Sequence, residues 1–440
     1  MTRDPNHSGG FMPKTFMPSV KTRGELSALQ LKGLKWTVKH AYNGSAFYRR
    51  KFEDAGVKPR AIKTLDDIGR LPFTTADDLK AGYPFPLLSV PMENVVRIHA
   101  SSGTTGKRKV LAYSAKDIHD WANFFARCYE MAGLTVLDRV QIAVGYGLWT
   151  AGVGFQAGVE RFGAMSIPIG PGNLDMQTEF LVDFQTTVLC CTASMGLLMA
   201  EEVEKRGLRN QINLKKVIFG SERSSDAMRA RIRDLLGVEH VFDIPGMTEL
   251  YGPGTGLDCV HHTGIHYWAD YYIVEFLDPD TLKPVPDGEI GEMVVTTLRK
   301  EAAPLVRYRT RDLTRAIPGE CPCGSILPRH DRFLGRSDDM FIFRAVNVYP
   351  GQVDHVLSRV EGVGSEYQIH LDRRPDGKDY MTVKVERGIH CLSVRDEELR
   401  RAVEEGIKNQ IFVSCNCEIV CHGELPRSER KTKRVFDKRE

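Results

Sequence analysis

Between Ser101 and Lys107 the chain reads SSGTTGK, a run of hydroxyls and glycines that ends in a cation. Gly103 and Gly106 free the backbone to turn N–H groups inward as an anion-binding nest. Ser101, Ser102, Thr104 and Thr105 add hydroxyl donors, and phosphate is the anion that such a loop suits. A Walker A loop needs four residues between its glycines and Ser or Thr after its lysine. Here two intervene and Arg108 follows Lys107, which disfavours that class. Further on, DIPGMTE spans Asp243 to Glu249. The Thr248 hydroxyl beside the Glu249 carboxylate suits a phosphate contact next to a Mg²⁺ ligand, although a helix cap explains the same pair. Asp312 could hold two ribose hydroxyls or pair with Arg307, Arg309 or Arg311. Arg336 could cap a phosphate or pair with Asp338 or Asp339.

A second chemistry lies in the cysteines. Cys259 and His266 in DCVHHTGIH, with Cys321 and Cys323 in ECPCG, make a Cys₃His set suited to tetrahedral Zn²⁺. His261 and His262 are substitutes for His266. Four protein ligands leave no open position, so the expected zinc is structural. Cys415, Cys417 and Cys421 fall on one strand face as half-buried thiols, and Cys190–Cys191 sit inside an apolar run.

These loops need a scaffold, and the chain offers a βα alternation from about 95 to 250. Apolar runs without polar alternation (VVRIHA, RVQIAV, MSIPIG, VLCCT, KVIFG, HVFDI) suit a parallel sheet covered by helices on both faces. Ile118, Trp121, Phe125 and Cys128 mark one buried helix face. HASSGTTG, GSERSS and DIPGMTE each follow a strand-like run, the position where open parallel sheets bind ligands. Residues 24–93 read as mostly helical. YYIVEFLDPDTLKPVPDGEIGEMVVTTL reads as an antiparallel hairpin in a β subdomain over 268–335. The expected fold is therefore α/β, a large domain over 1–335 followed by a small α+β domain over 336–440.

Composition narrows the class. The 440 residues carry 60 Lys+Arg against 57 Asp+Glu, a net charge of +3 that gives no argument for nucleic acid beyond the basic stretch Arg427–Arg439. No run of about 18 apolar residues occurs and the first residues hold no apolar signal segment, so a cytoplasmic enzyme without a membrane partner is expected. Ten cysteines in a chain of this length do not make a disulfide scaffold.

Taken in order, SSGTTGK, GSE, DIPGMTELYG, VRYRTRDL, GRSDDM, VNVYPGQVD and LPRSERKTKRV resemble the motifs of the phenylacetate–CoA ligase family, within the acyl-adenylate-forming superfamily. The likeness runs from about residue 30 to 440. It implies ATP, Mg²⁺ and coenzyme A as cofactors and a small, aromatic carboxylic acid as substrate. Acyl-AMP and pyrophosphate form first; the C-terminal domain then swings and the CoA thiol releases AMP. It further implies that 101–107 hold the leaving phosphates and that Ser221, Glu222, Asp243 and Ile244 surround adenine. Thr248 would contact the α-phosphate, Glu249 would bind Mg²⁺ and Asp312 the ribose. Asp338 would be the hinge and Lys431 the mobile lysine of adenylation, with Lys433 in reserve. GYGLWTAGVG resembles the aryl-acid pocket, lined by Tyr146, Trp149 and Ala151 with Gly246. A homodimer is the family expectation. Three positions depart from the pattern: Ala345 where glycine is usual, Arg430 before the mobile lysine, and Pro245 for tyrosine. Ala345 leaves open an acceptor other than CoA, and a nucleotide binder without turnover is the remaining alternative.

Overall fold

The computed structural model describes residues 15–101, 108–222, 224, 226–344, 346–373, 379–389, 391–426 and 434–439. At its centre five strands run parallel: Arg139–Ala143, Met165–Ile167, Val188–Thr192, Lys216–Gly220 and His240–Asp243. In space the second lies at one edge, followed by the first, third, fourth and fifth. Alternate residues feed opposite cores. Val140, Ile142, Val188, Cys190, Ile218 and Phe242 enter one cluster. Ala143, Leu189, Cys191, Val217, Phe219 and Val241 enter the other. This two-residue period under helices on both faces is why the runs lack polar alternation. It also accounts for Cys190 and Cys191 as core thiols.

The strand order reverses between Arg139–Ala143 and Val188–Thr192, which opens a crevice beyond their carboxyl ends. Beyond the carboxyl ends of the sheet, loops begin at Val144, Ser221 and Ile244, and helix Ala193–Lys205 starts directly after Thr192. Helix Ala115–Met131 is started by a Ser114–Asp117 capping box and buries Trp121, Phe125 and Cys128, with Ile118 partly covered.

One strand departs from expectation. Val95–Ala100 (VVRIHA) is not part of the parallel sheet; it pairs antiparallel with Val110–Ser114 as a two-stranded unit. The stretch between the two strands is short, and a short connection permits only antiparallel pairing. One face of the unit is open, with Val96 58% and Ile98 41% exposed.

The expected hairpin forms between Tyr272–Leu277 and Gly291–Thr297, and Tyr308–Thr314 and Gly335–Arg336 extend it to four strands. A smaller sheet joins Gly256–Asp258, Ile265–Tyr267, Arg329–His330 and Ala316–Ile317. Toward the C-terminus, Val363–Arg373, Asp379–Arg387, Asn416–Val420 and Val435–Asp437 form a mixed sheet. Helices Pro350–Leu357 and Asp396–Ile411 bury Val353, Val403 and Ile407 with this sheet's Ile369 and Val383 in a separate core. Cys417 belongs to that core while Cys421 is exposed. Among the described residues no helix is long and apolar enough to cross a membrane.

Candidate nucleotide and metal sites

Glu249 is buried, and its carboxylate meets two groups. Lys109 forms an ion pair with Oε1, and the Tyr308 hydroxyl donates to the same oxygen at 3.0 Å. Burial pushes the Glu249 carboxyl up, but the Lys109 charge and these hydrogen bonds outweigh it and hold the group below the usual range. The backbone around it is gripped from behind. The Tyr113 hydroxyl donates to the carbonyls of Thr248 (2.9 Å) and Tyr251 (3.1 Å), and Lys300 Nζ donates to the Glu249 carbonyl (2.8 Å). Lys300 is fully buried, and burial brings its ammonium down to about 8 against the pull of Asp117 and Glu249.

Of the phosphate-loop candidates, Ser101 is described; its backbone N–H bonds to the Lys109 carbonyl at 3.0 Å, and its hydroxyl is buried without a partner among the described residues. Ser102, Gly103, Thr104, Thr105, Gly106 and Lys107 lie outside the described residues, as do Ala345, Lys431 and Lys433. The cation at Glu249 is thus Lys109, which sequence reasoning passed over. Its place at the foot of the returning strand was the available signal.

The adenine candidates follow the fourth and fifth parallel strands. Ile244 N–H bonds to the Phe219 carbonyl at 3.0 Å, and the Ile244 carbonyl crosses Gly220 so closely that a Cβ there would stand 2.1 Å from it. Ser221 takes a left-handed backbone at φ 69. Glu222 accepts from the Ser194 N–H and hydroxyl through Oε2, while Oε1 is buried with no partner among the described residues. Burial raises its carboxyl, partly offset by Ser194. An oxygen in that condition fits an amino donor from a ligand. Burial also lifts Asp243 to about 6, with Arg229 opposing and Asp258 adding.

The arginines of VRYRTRD pair with glutamates of neighbouring strands. Arg307 pairs with Glu275, Arg309 and Arg311 pair with Glu292, and Asp312 instead meets Arg336 at 3.3 Å across paired strands. Arg336 also binds both oxygens of Asp338 at 2.8 and 2.9 Å. One guanidinium therefore ties the ribose candidate to the hinge candidate.

Tyr146 lays its ring against Gly152, Trp149 lies against Gly145, and Ala151 is buried. Gly246 pairs with Pro253, on the strand that helix Ala151–Phe162 packs against, and lines a cavity of about 10 Å³ with Met247, Tyr267 and Tyr272, room for one water.

The Cys/His set does converge. Ligand atoms of Cys259, His266, Cys321 and Cys323 all lie within 4.8 Å of one another. Sγ of Cys259 and Cys321 are 3.5 Å apart, and Cys323 Sγ is 3.4 Å from His266 Nε2. Four donors at about 2.0–2.3 Å from one tetrahedral Zn²⁺ would stand at comparable separations. His266 Nδ1 lies 3.0 Å from the Leu327 carbonyl, which can only accept, so Nδ1 carries the proton and Nε2 presents a lone pair. Burial works to raise the Cys321 thiol, but hydrogen bonds from Thr263 and the Cys323 backbone bring it to about 6. Burial raises Cys259 to about 12. His262 is engaged elsewhere, with Asp258 at 2.7 Å and His240 at 3.1 Å. Asp258, next to Cys259 in the chain, accepts from the Asp243 N–H at 2.6 Å and so braces the adenine loop together with His262.

Comparison with known proteins adds identity to this geometry. The AMP-binding enzyme family profile matches residues 46–298, and the AMP-binding enzyme C-terminal domain matches 345–439. Phenylacetate-coenzyme A ligase of Escherichia coli (strain K12) is 43% identical over 421 residues, covering 94% of this chain and 95% of that one. Its namesake from Thermus thermophilus is 39% identical over 96% of this chain and 99% of its own. Among solved structures, 2-hydroxyisobutyryl-CoA ligase in the postadenylation state with 2-HIB-AMP gives a TM-score of 0.86 at 27% identity, covering 95% of this chain and 90% of that chain. In the thioesterification state, with 2-HIB-AMP and CoA, the score is 0.70 at 28% identity, covering 97% and 91%.

Proposed function

The chain belongs to the AMP-binding enzyme family, among its phenylacetate–coenzyme A ligases, and from that premise we propose that it activates a small aromatic carboxylic acid with Mg·ATP and passes it to coenzyme A. It is an AMP-forming acid–CoA ligase, and two displacements balance the reaction. A substrate carboxylate oxygen attacks the α-phosphorus, the bond to the β-phosphate oxygen breaks, and pyrophosphate leaves. The CoA sulfur then attacks the acyl carbon and AMP departs with the bonding electrons.

Residues 101–107 with Lys109 hold the β- and γ-phosphates, and Thr248 contacts the α-phosphate. Glu249 would ligate Mg²⁺, which when bound neutralises phosphate charge. Glu222 Oε1, buried without a partner among the described residues, accepts from the adenine amine, and Asp312 takes the ribose hydroxyls. Tyr146, Trp149 and Ala151 line the acid pocket. In this reading residues 1–335 form the body and 336–440 a lid that turns at Asp338 and carries Lys431. A cation brought up as charge develops on phosphorus stabilises the transition state more than the ground state. The separate C-terminal core supports such a lid, as does the higher likeness to the postadenylation form. Cys259, His266, Cys321 and Cys323 hold a structural Zn²⁺.

The observation that carries this reading is the buried Glu249 carboxylate, kept ionised beside a lysine at the mouth of a parallel sheet. The test is a pyrophosphate-exchange screen over aryl, arylalkanoic and short-chain acids, with product analysis with and without CoA. Exchange with an aromatic acid, and thioester only when CoA is present, is the expected result. Failure with every acid, ATP still binding, overturns the ligase reading; adenylate without thioester removes CoA as acceptor.

A further inference from the structure

Lys300 follows the strand Gly291–Thr297 and is 0% exposed, yet no carboxylate lies within ion-pair distance of its ammonium among the described residues. Asp117, the acid whose charge acts on it most, is committed elsewhere. Its oxygens accept from the backbone N–H groups of Ser114 (3.0 Å), Glu301 (2.8 Å) and Ala302 (2.9 Å). Asp117 therefore fixes the backbone beside Lys300 and leaves the ammonium to point elsewhere. That ammonium donates to the Glu249 carbonyl at 2.8 Å and stands 4.8 Å from the Tyr113 ring centre and 5.1 Å from that of Tyr251. Cation–π attraction and one carbonyl compensate the desolvation of a full charge only in part. A methionine would fill the same space without that cost. Side chains kept at a cost to stability concentrate where function needs them.

We propose that Lys300 is a positioning residue for the adenylation step: with Tyr113 it clamps the Thr248–Tyr251 backbone, so that the Thr248 hydroxyl and Glu249 carboxylate stand fixed toward the nucleotide. The inference rests on the reading of Glu249 as the Mg²⁺ ligand. Three consecutive facts support it: Tyr113 holds the carbonyls on either side of Glu249, Lys300 holds Glu249's own, and Lys109 with Tyr308 holds its side chain. The charge also places positive potential directly behind the metal-binding carboxylate.

The test compares Lys300→Met and Lys300→Arg with the wild-type full chain. Pyrophosphate exchange is titrated with Mg²⁺ and with the acid, and thermal unfolding is followed in parallel. Lys300→Met should lower kcat at least roughly tenfold through misplacement of the reacting groups, raise the Mg²⁺ concentration for half-saturation, and leave the KM for the acid unchanged. Its unfolding temperature should stay level or rise. Lys300→Arg should keep the Mg²⁺ response even where its larger head costs thermal stability. An unchanged Mg²⁺ response in Lys300→Met overturns the proposal. So does a Lys300→Met chain that melts lower or fails to fold, or a Lys300→Arg chain that loses the Mg²⁺ response equally. Glu249→Gln separates the two readings. If it keeps the wild-type Mg²⁺ dependence, Glu249 is not the ligand; if it loses that dependence while Lys300→Met keeps it, only the role of Lys300 fails.

Discussion

Two places in this molecule are proposed to meet a divalent cation, and they differ in what balances their charge. At Cys259, His266, Cys321 and Cys323 every donor comes from the chain, and the His266 tautomer is fixed by the Leu327 carbonyl. At Glu249 a single carboxylate is balanced by Lys109, a flexible side chain that is 21% exposed. A site closed by four protein ligands holds its ion as part of the fold. A carboxylate with a displaceable counter-cation can accept an ion that arrives with phosphate and leaves with product. Permanence goes with the first arrangement and turnover with the second.

The contrast breaks most sharply at Glu249→Gln. Removal of the negative charge should slow pyrophosphate exchange by about a thousandfold or more, roughly 4 kcal/mol of transition-state stabilisation. The unfolding temperature should not fall, because a buried charge has gone with it. A loss under tenfold would place the Mg²⁺ ligand elsewhere.

At the closed site the expected effect is on stability. Cys321→Ser should abolish stoichiometric zinc by atomic absorption and cost about 3 kcal/mol of folding free energy. In a chain this long that lowers the melting temperature by several degrees, about 2–4 °C per kcal/mol. Exchange activity per folded molecule should remain within about twofold of wild type, since four protein ligands leave no place for substrate. A zinc-free variant that folds normally but cannot adenylate would reverse the assignment of roles.

Lys109→Met sharpens the open site. It leaves Glu249 buried without its cation, and about 2 kcal/mol of adenylation rate, roughly 30-fold, should be lost. The pH profile gives the sign. In the wild type the Glu249 carboxyl is held low, so the ionised form persists as pH falls. Without Lys109 burial dominates, the carboxyl rises, and the acid limb of the rate profile should move to higher pH. An unmoved limb would mean that Lys109 does not face that carboxylate during turnover.

These distinctions were legible in the sequence to different depths. The parallel strands announced themselves because Cys190 and Cys191, like Ile218 and Phe219, are buried on opposite faces, which an unbroken apolar run records directly. Cys-Pro-Cys-Gly likewise carries its own geometry, with both thiolates on one tight turn. VVRIHA misled, since burial on one face in a two-stranded unit yields nearly the same letters as a central strand. Lys107 and Lys109 are equivalent in composition, and only the returning strand, which directs Lys109 inward, tells them apart. Lys300 was invisible in TLRKEAAP, because the groups it meets, the Glu249 carbonyl and the rings of Tyr113 and Tyr251, come from distant parts of the chain. Asp312 shows the same limit, surrounded by arginines in sequence while its partner Arg336 stands on a neighbouring strand.

The smallest test concerns the hydroxyl that both counter-charges leave in place. Tyr308 donates to the same Glu249 oxygen that Lys109 pairs with, and its own ionisation is pushed far up by burial and by that carboxylate, so it remains a donor throughout the working range. Tyr308→Phe removes one hydrogen bond to a charged group and keeps the ring that fills the core, a change of about 1.5 kcal/mol or roughly tenfold. Because the bond orients Glu249 whether lysine or metal is its partner, the loss should appear in kcat at every Mg²⁺ concentration, with the Mg²⁺ half-saturation moved less than in Lys109→Met. If instead Tyr308→Phe shifts the metal response as far as Lys109→Met does, the hydroxyl belongs to the cation exchange itself, and the division between a fixed orienting donor and a displaceable counter-charge would have to be redrawn.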